Sequence, residues 1–362
     1  MVRLSRHQLF TLMFIFEIGS TTLFALGIDA KQDAWIAILT ALIIGLFFVW
    51  IYTQLQKSFP DKDFIDIITS ILGRTLGLPL AFLYLLSWFW GVSRNLREFG
   101  ELIILTTLPS SPLWIVSLLF LSVSVYTLLK GMEVMARSSE IILPMLLTFL
   151  FAAFILLFLS GHVNFTNLSP VLGGGISQVL KAVPGIVFFP FGELNIFLMY
   201  WHCADEKNAV RSSSITAVLF AGFILCITLI MDISVFGAQY VSIAAIPFME
   251  AVRLINVGDI ITNIDVIGVI IIFFGGFFKM SVYLYGIVLG ISKIFKIKNL
   301  KLLLILFSIF LLWYSIVFEP NYAYHIWMSP FDAKYFGLPF SAGFPLLLIS
   351  IYYIKRKRGI IK

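Results

Sequence analysis

The sequence predicts an all-α polytopic membrane protein with ten transmembrane helices. Hydrophobic residues make up 60% of its 362 residues and charged residues only 12%, whereas soluble domains contain about 45–50% and about 25%. The mean hydropathy is +1.02, and the apolar runs are continuous and about 20 residues long, the length that a hydrocarbon core of about 30 Å requires. This composition argues against a soluble enzyme, a nucleic-acid-binding protein or a disordered chain. Two cysteines, Cys203 and Cys226, provide no disulfide framework.

Ten segments satisfy the length and hydropathy expected of a membrane-spanning helix. These spans 1 to 10 are Leu9–Ile28, Ala34–Leu55, Pro79–Leu105, Leu113–Leu129, Ser138–Ser160, Ile176–Trp201, Ser213–Phe236, Ile260–Ser292, Leu302–Phe318 and Phe336–Ile354. Glu17 interrupts span 1 and no small-residue cleavage pattern follows it, so we expect a retained helix rather than a cleaved signal peptide.

The basic residues predict the orientation of the chain. With a cytoplasmic N-terminus, eighteen Lys and Arg fall in cytoplasmic segments and only three, Lys31, Arg253 and Lys334, fall outside. This excess predicts that both termini are cytoplasmic. We interpret the basic tail 355–362 as an anchor on anionic membrane lipids; nucleic-acid binding is the alternative and is not expected. Two stretches are predicted as amphipathic surface helices, Phe64–Leu72 on the inner face and Ser242–Val257 on the outer face.

Ten spans divide into two sets of five, the arrangement of a 5+5 inverted repeat. We expect one transmembrane permease-like domain over 1–362, with repeat one at about 9–160 and repeat two at about 176–354. Spans 1 and 6, which correspond in the two repeats, both contain helix breakers: Glu17–Thr22 and Pro190–Glu193. Irregular backbone inside a membrane survives only within protein or beside a wet cavity, so discontinuous helices 1 and 6 predict a central binding site. The alternatives are close helix packing at Gly19 and an ordinary kink at Pro190.

The residues before and within span 6 resemble those of the endospore germination permease family. The stretch Asn167–Gly175 reads Asn-Leu-Ser-Pro-Val-Leu-Gly-Gly-Gly and is similar to the Asn-Leu-x-Pro-Val-Leu-Gly-x-Gly loop of that family. Further similarities are Gly19, the pair Arg97 and Glu101, and the Phe-Pro-Phe-Gly-Glu run that ends at Glu193. The family consists of the B subunits of spore nutrient receptors and belongs to the amino acid–polyamine–organocation superfamily, whose 5+5 inverted-repeat fold is therefore implied.

The resemblance implies a receptor rather than an enzyme. Such a subunit would bind a small germinant, an amino acid or a sugar, in a central pocket and signal to a larger A subunit and a lipid-anchored C subunit in the spore inner membrane. The alternative with the same fold is a proton- or ion-coupled secondary transporter of amino acids. A membrane enzyme is disfavoured because no catalytic motif is present, and neither a cofactor nor a metal is expected.

Span 3 carries four charged residues, each of which needs a partner at membrane depth. Arg94 with Glu98 and Arg97 with Glu101 are spaced four residues apart, so each pair can be neutral within one helix. The other interpretation is that one of these charges reaches a different helix and gates the protein; the family resemblance favours Arg97 and Glu101 for that role.

Three further charges lie near the predicted breaks. Glu193 would cap the second half of span 6 or contact the ligand. Lys279 in span 8 follows Gly275 and Gly276, which would let another backbone approach. Spans 1 and 8 hold a sodium ion in sodium-coupled members of the superfamily, so we hypothesise that Lys279 faces the core, pairs with Glu17 or another acid, and removes any sodium requirement. The alternative is a lysine that snorkels to the interface.

The predicted site follows from these placements. The ligand-binding candidates are Gly19, Ser20, Thr21, Gly91, Asn95, Phe191, Gly192, Glu193, Gly275 and Lys279, and the gating or ion-pair candidates are Glu17, Arg97 and Glu101. Phe191 is expected to shape the apolar side of the pocket. We expect Asp232 and Asp265 to face the surface, the histidines to lie in termini or loops, and Trp88 and Trp90 to serve in packing or in interfacial belts.

Overall fold

A computed structural model describes residues 3–19, 21–256 and 265–360. Ser20, residues 257–264 at the start of predicted span 8, and the side chain of Asp265 lie outside this description. Twelve α-helices are present in the described residues, which contain no β-strand. They are α1 (Arg6–Ile18), α2 (Ala34–Ser58), α3 (Phe64–Thr106), α4 (Leu113–Leu129), α5 (Met132–Leu159), α6 (Ile176–Phe188), α7 (Ala209–Val241), α8 (Pro247–Arg253), α9 (Asp265–Phe295), α10 (Leu300–Phe318), α11 (Tyr322–Phe331) and α12 (Phe344–Lys357).

Within the described ranges, eight helical stretches are long and apolar enough to cross a membrane. The chain is accordingly a multi-pass membrane protein. Two predicted spans are not among the eight: α1 ends at Ile18, and α4 is a shorter apolar helix over Leu113–Leu129. The last stretch begins at Tyr322, earlier than the predicted Phe336, because α11 continues through π-helical turns at Asp332–Gly337 and Pro339–Gly343 into α12.

Spans 1 and 6 are both interrupted. Beyond α1, a 3₁₀ turn forms at Thr21–Leu23, and a second 3₁₀ segment at Ile28–Asp33 leads into α2. Beyond α6, Phe189 is extended and a 3₁₀ segment covers Phe191–Met199. The turn Thr21–Leu23 and the segment Phe191–Met199 are buried, as expected for backbone that cannot meet lipid. Asp29 and Lys31 in the second 3₁₀ segment are exposed.

The break after α1 packs directly on α9. A methyl group on Gly275 would lie 2.0 Å from the carbonyl oxygen of Gly19, and one on Gly19 would lie 2.5 Å from Cα of Gly275. Only glycine on both sides permits this approach, since any Cβ would overlap backbone that cannot move aside. The expectation that Gly275 admits a second backbone is confirmed.

Helices form in both stretches predicted as amphipathic surface helices. Phe64–Leu72 forms the start of α3, which changes direction at Gly73 (φ 78°). Within Ser242–Val257, α8 buries Phe248 and Met249 where it packs on α7 and α9, and Arg253 and Leu254 are exposed. Their positions at the inner and outer membrane faces stay predictions.

Candidate functional site

A central cavity of about 360 Å³ lies between α3, the two interrupted regions and α11. This volume is within the range of small-molecule sites. Four aromatic rings form much of its wall: Phe24, Trp90, Phe188 and Phe189. Polar and charged side chains from α3, from α11 and from the residues after the α6 break complete it. The wall of the central cavity therefore combines aromatic rings with polar and charged side chains.

Glu193 joins the central cavity to the protein interior. Its side chain lines the cavity and also a smaller neighbouring space of about 40 Å³ to which Gly192 contributes. Tyr283 on α9 donates a hydrogen bond of 3.0 Å to its Oε1, and the ammonium of Lys279 lies 2.5 Å from its Oε2. Glu193 is in the first turn of the 3₁₀ segment, where backbone N–H groups favour a carboxylate.

Lys279 is completely buried (0% exposed). Besides its ion pair with Glu193, its ammonium lies 3.9 Å from the ring centroid of Phe189 and 5.7 Å from that of Phe16. Such contacts stabilise a desolvated cation. The lysine therefore faces the core as hypothesised, its acidic partner is Glu193, and the snorkelling alternative is wrong.

Glu17 is the second buried carboxylate of this region. It is 0% exposed, and neither of its oxygens has a hydrogen-bond partner among the described residues. Lys279 forms its ion pair with Glu193, and no hydrogen bond joins it to Glu17 among the described residues.

On α3, Asn95 presents a polar atom to the central cavity, and Gly91 leaves open space there. Nδ2 of Asn95 donates to the carbonyl of Gly91 (3.2 Å), whereas Oδ1 has no donor within the described part of the chain. A Cβ on Gly91 would meet nothing within 4 Å. Both residues line the cavity, and Oδ1 is available to a ligand donor.

Several predicted ligand residues do not line either space. Gly19 and Gly275 are in contact with each other, and Thr21 is buried with no partner for its hydroxyl among the described residues. Phe191 was expected to shape the pocket, but it packs against Gly45 on α2. Phe189 forms the aromatic wall in its place. Phe189 is extended, whereas Pro190 has helical dihedral angles and Phe191 begins the 3₁₀ segment, so no single regular period relates the two side chains.

Arg94 connects α3 to the last membrane stretch. It forms an ion pair with Glu319, contacts Asp332 at 2.7 Å and donates to the carbonyl of His325 at 2.7 Å. Glu98 instead faces Nε2 of His325 at 3.3 Å. The predicted neutralisation of Arg94 by Glu98 within one helix is therefore wrong. We call these five residues the ionic cluster.

Arg97 and Glu101 form the predicted pair within α3. Nη2 of Arg97 lies 2.7 Å from Oε1 of Glu101, and Nη1 donates to the carbonyl of Ile316 on α10 at 3.1 Å. Neither residue lines the central cavity as the described residues define it. Their role in gating stays a prediction.

Sequence reasoning missed or misplaced several residues. His325 was assigned to a loop but is buried in α11 beside Glu319 (2.7 Å). Trp90 packs on Phe336 with ring centroids 4.7 Å apart, as expected, and also donates a hydrogen bond to Asp332 at 2.7 Å. The sequence signal for the ionic cluster is Asp332, an acidic residue within the apolar stretch that begins at Tyr322. Asp232 is not at the surface: it is 0% exposed, and its carboxylate has no hydrogen-bond partner in the described ranges.

The loop that carries the family resemblance holds α6 in place. Nδ2 of Asn167 donates to the carbonyl of Ser234 on α7 (3.0 Å), and the backbone N–H of Leu172 donates to Asp33 (2.7 Å) at the start of α2. The loop thus ties the entry of the interrupted span 6 to α2 and α7.

Comparisons with known proteins agree with this architecture. Residues 3–323 match the family described as Spore germination protein. Spore germination protein KB of Bacillus subtilis (strain 168) is 33% identical over 358 residues, which is 98% of this chain and 96% of the relative. Spore germination protein GerQB of Bacillus cereus is 24% identical and covers 86% of each chain.

Solved transporters share the fold. MhsT in complex with L-phenylalanine aligns with a TM-score of 0.69 over 97% of this chain and 99% of that chain, at 14% identity. A Na⁺-coupled sialic acid symporter aligns with a TM-score of 0.62 over 97% and 84%, at 12% identity. The chain therefore shares the fold of these solved proteins, and it belongs to the spore germination protein family.

Proposed function

We propose that this chain is the membrane subunit of a spore germinant receptor that binds a small nutrient in the central cavity. The observation that carries the proposal is the position of Glu193, which lines the cavity at the break of span 6 in a chain whose relatives are spore germination proteins. Ligand binding there would move the interrupted region of span 6 together with Lys279. This movement would signal to partner A and C subunits and trigger germination.

An amino acid fits the chemistry of the cavity. Its ammonium would face the carboxylate of Glu193, which lines the cavity, and Oδ1 of Asn95, which has no donor among the described residues. Its side chain would lie against Phe188, Phe189 or Trp90.

The proposal includes the finer architecture. It comprises ten transmembrane helices in one domain over 1–362, arranged as a 5+5 inverted repeat (about 9–160 and about 176–354) with helices 1 and 6 discontinuous. Both termini would be cytoplasmic in the spore inner membrane, with the basic tail 355–362 on the inner leaflet. The ionic cluster would close the central cavity toward the outer side, with Arg97 and Glu101 coupled to it through α10.

A proton- or ion-coupled amino acid transporter is the second candidate function. It is favoured by the likeness to MhsT, which was solved with L-phenylalanine. Interrupted helices around a central site serve alternating access as readily as ligand sensing. The two functions differ in whether the isolated chain accumulates its ligand.

The test is binding and uptake of a panel of radiolabelled amino acids by the purified chain in sealed proteoliposomes. Saturable binding without accumulation supports the receptor subunit, whereas accumulation makes the chain a transporter. Gly91→Leu should abolish binding in either case by filling the open space on α3. Gly343→Leu is the matched control, because a Cβ there also meets nothing within 4 Å but Gly343 does not line the central cavity as described. Loss of binding in both variants would contradict the assigned site.

A further inference from the structure

A second cavity lies at the end of the molecule that carries both termini. It occupies about 570 Å³ between the C-terminal end of α2 and the N-terminal end of α7. We call it the basal cavity. Leu4 hydrogen-bonds the carbonyl of Cys203, shortly before α7, and Lys355 in α12 hydrogen-bonds the carbonyl of Ile71, which places the two termini at this end. The basal cavity shares no lining residue with the central cavity within the described chain.

Positive charge dominates the basal cavity. Lys57, Lys207 and Arg211 line it, and Asp61 is the opposing acid. The contact between Lys207 and Asp61 is 3.7 Å long, and the Asp61 side chain is 86% exposed, so solvent screens it. Lys57 is exposed and has no hydrogen bond or ion pair among the described residues. At least one cation is therefore available to an incoming anion.

Arg211 is held in position at the wall. Its Nε donates to Oγ1 of Thr53 (3.2 Å) and its Nη2 to Oε1 of Gln54 (2.5 Å). Both acceptors are neutral, so the guanidinium charge is not cancelled. A positioned arginine with an uncancelled charge is the arrangement that favours phosphate recognition.

Trp201 adds a buried donor to the same wall. The residue is 0% exposed and lines the basal cavity. Its indole N–H is buried and has no acceptor among the described residues. A buried donor without an acceptor is destabilising unless something satisfies it. An anion in the cavity is an occupant that would do so.

The basal cavity borders the surface that faces lipid. The guanidinium of Arg211 lies 5.6 Å from the ring centroid of Trp50. Trp50 and Phe47 are 42% and 52% exposed on α2 and stack on each other. Exposed aromatic rings beside a basic residue are typical of the level of lipid headgroups.

We propose that the basal cavity binds a phosphate-bearing anion, and that its position at the lipid-facing surface admits the headgroup of an anionic phospholipid. Lys57, Lys207 and Arg211 contact the phosphate oxygens, and the indole of Trp201 donates to the same group. Basic pockets between membrane helices at the cytoplasmic side are suited to such headgroups. A soluble phosphate shares this chemistry, and the experiment distinguishes the two sources.

The test is a titration of the purified full-length chain in detergent with dioctanoyl-phosphatidylglycerol, dioctanoyl-phosphatidylcholine or inorganic phosphate, followed by thermal unfolding. We expect phosphatidylglycerol to raise Tm saturably and phosphatidylcholine to raise it much less. The triple variant Lys57→Gln, Lys207→Gln and Arg211→Gln should weaken the apparent affinity at least tenfold, since each cation near an anionic headgroup contributes about fivefold.

The matched control removes three lysines at the junction of α9 and α10: Lys296→Gln, Lys298→Gln and Lys301→Gln. It loses the same charge at positions that do not line the basal cavity as described and should keep the wild-type affinity. Lys57→Gln alone, which breaks no contact among the described residues, should weaken binding about fivefold and serves if the triple variant does not fold.

An equal effect of inorganic phosphate would support the anion site and identify the occupant as soluble phosphate. The proposal is overturned if neither probe raises Tm. It is also overturned if phosphatidylcholine acts as strongly as phosphatidylglycerol, or if the control variant loses as much affinity as the basal-cavity variants.

Discussion

The ammonium of Lys279 lies 2.5 Å from the carboxylate of Glu193, joining α9 to the interrupted span 6 in the interior of the protein. Neither residue is near the other in the chain, and both are removed from solvent. The pair links the wall of the central cavity to the helix that packs on the break of span 1.

Lys279→Met should destabilise the protein by about 3–5 kcal/mol, because it leaves Glu193 buried without its cation. Thermal unfolding in detergent measures the change. The double variant Lys279→Met with Glu193→Gln should recover part of the loss, since both charges of the pair are then removed. A double variant less stable than the lysine variant would show that the two residues are not an energetic pair.

The unfolding of the wild-type protein should not depend on sodium, whereas that of Lys279→Met should. The variant leaves Glu193 without its cation in an interior that also holds the buried carboxyl of Glu17, and a metal ion could replace the missing charge. Tm in sodium chloride compared with choline chloride at equal ionic strength gives the answer. If sodium has no effect on the variant, Lys279 does not stand in for a metal ion.

Gly19 and Gly91 should respond differently to added side chains. Gly19→Ala places a methyl group 2.5 Å from Cα of Gly275 and should cost about 1–3 kcal/mol of stability, as overpacking does. Gly91→Ala adds a methyl group in open space and should leave Tm nearly unchanged. Thermal unfolding of the two variants side by side tests the contact between α1 and α9, and equal losses would contradict it.

Arg94→Gln should destabilise the protein more than Arg97→Gln. Arg94 neutralises Glu319, whose side chain is 1% exposed, and also contacts Asp332. Its loss leaves buried acids without a cation, which should reduce the free energy of unfolding by about 3–5 kcal/mol. The partner of Arg97, Glu101, has a side chain that is 18% exposed and retains more hydration. The order of Tm values checks this; a larger loss for Arg97→Gln would make the pair within α3 the dominant contact.

Much of the fold could be predicted from the sequence. Membrane helices are specified by long apolar runs, and α4 covers Leu113–Leu129, the predicted span 4. The interruptions near Gly19 and Pro190 were predictable because glycine and proline act on the backbone locally. The interior position of Lys279, hypothesised from the preceding Gly275 and Gly276 and from the sodium site of the superfamily, is confirmed.

The lining of the site could not be predicted to the same degree. Phe189 and Phe191 are two residues apart, yet only Phe189 lines the central cavity in the described structure. Helical periodicity assigns directions to side chains only where the helix is continuous. At a break, the local backbone conformation sets the direction of each side chain, and helical periodicity does not predict that conformation.

The sequence by itself determined that the chain is a helical membrane protein with two interrupted spans, because hydropathy and helix breaking depend on neighbouring residues. Only the tertiary structure decided the partners of the buried charges. Arg94 could have paired with Glu98 one turn away, but it meets Glu319, 225 residues along the chain. Pairing inside a membrane protein follows from which helices pack together, and the spacing of residues along one helix does not specify that packing.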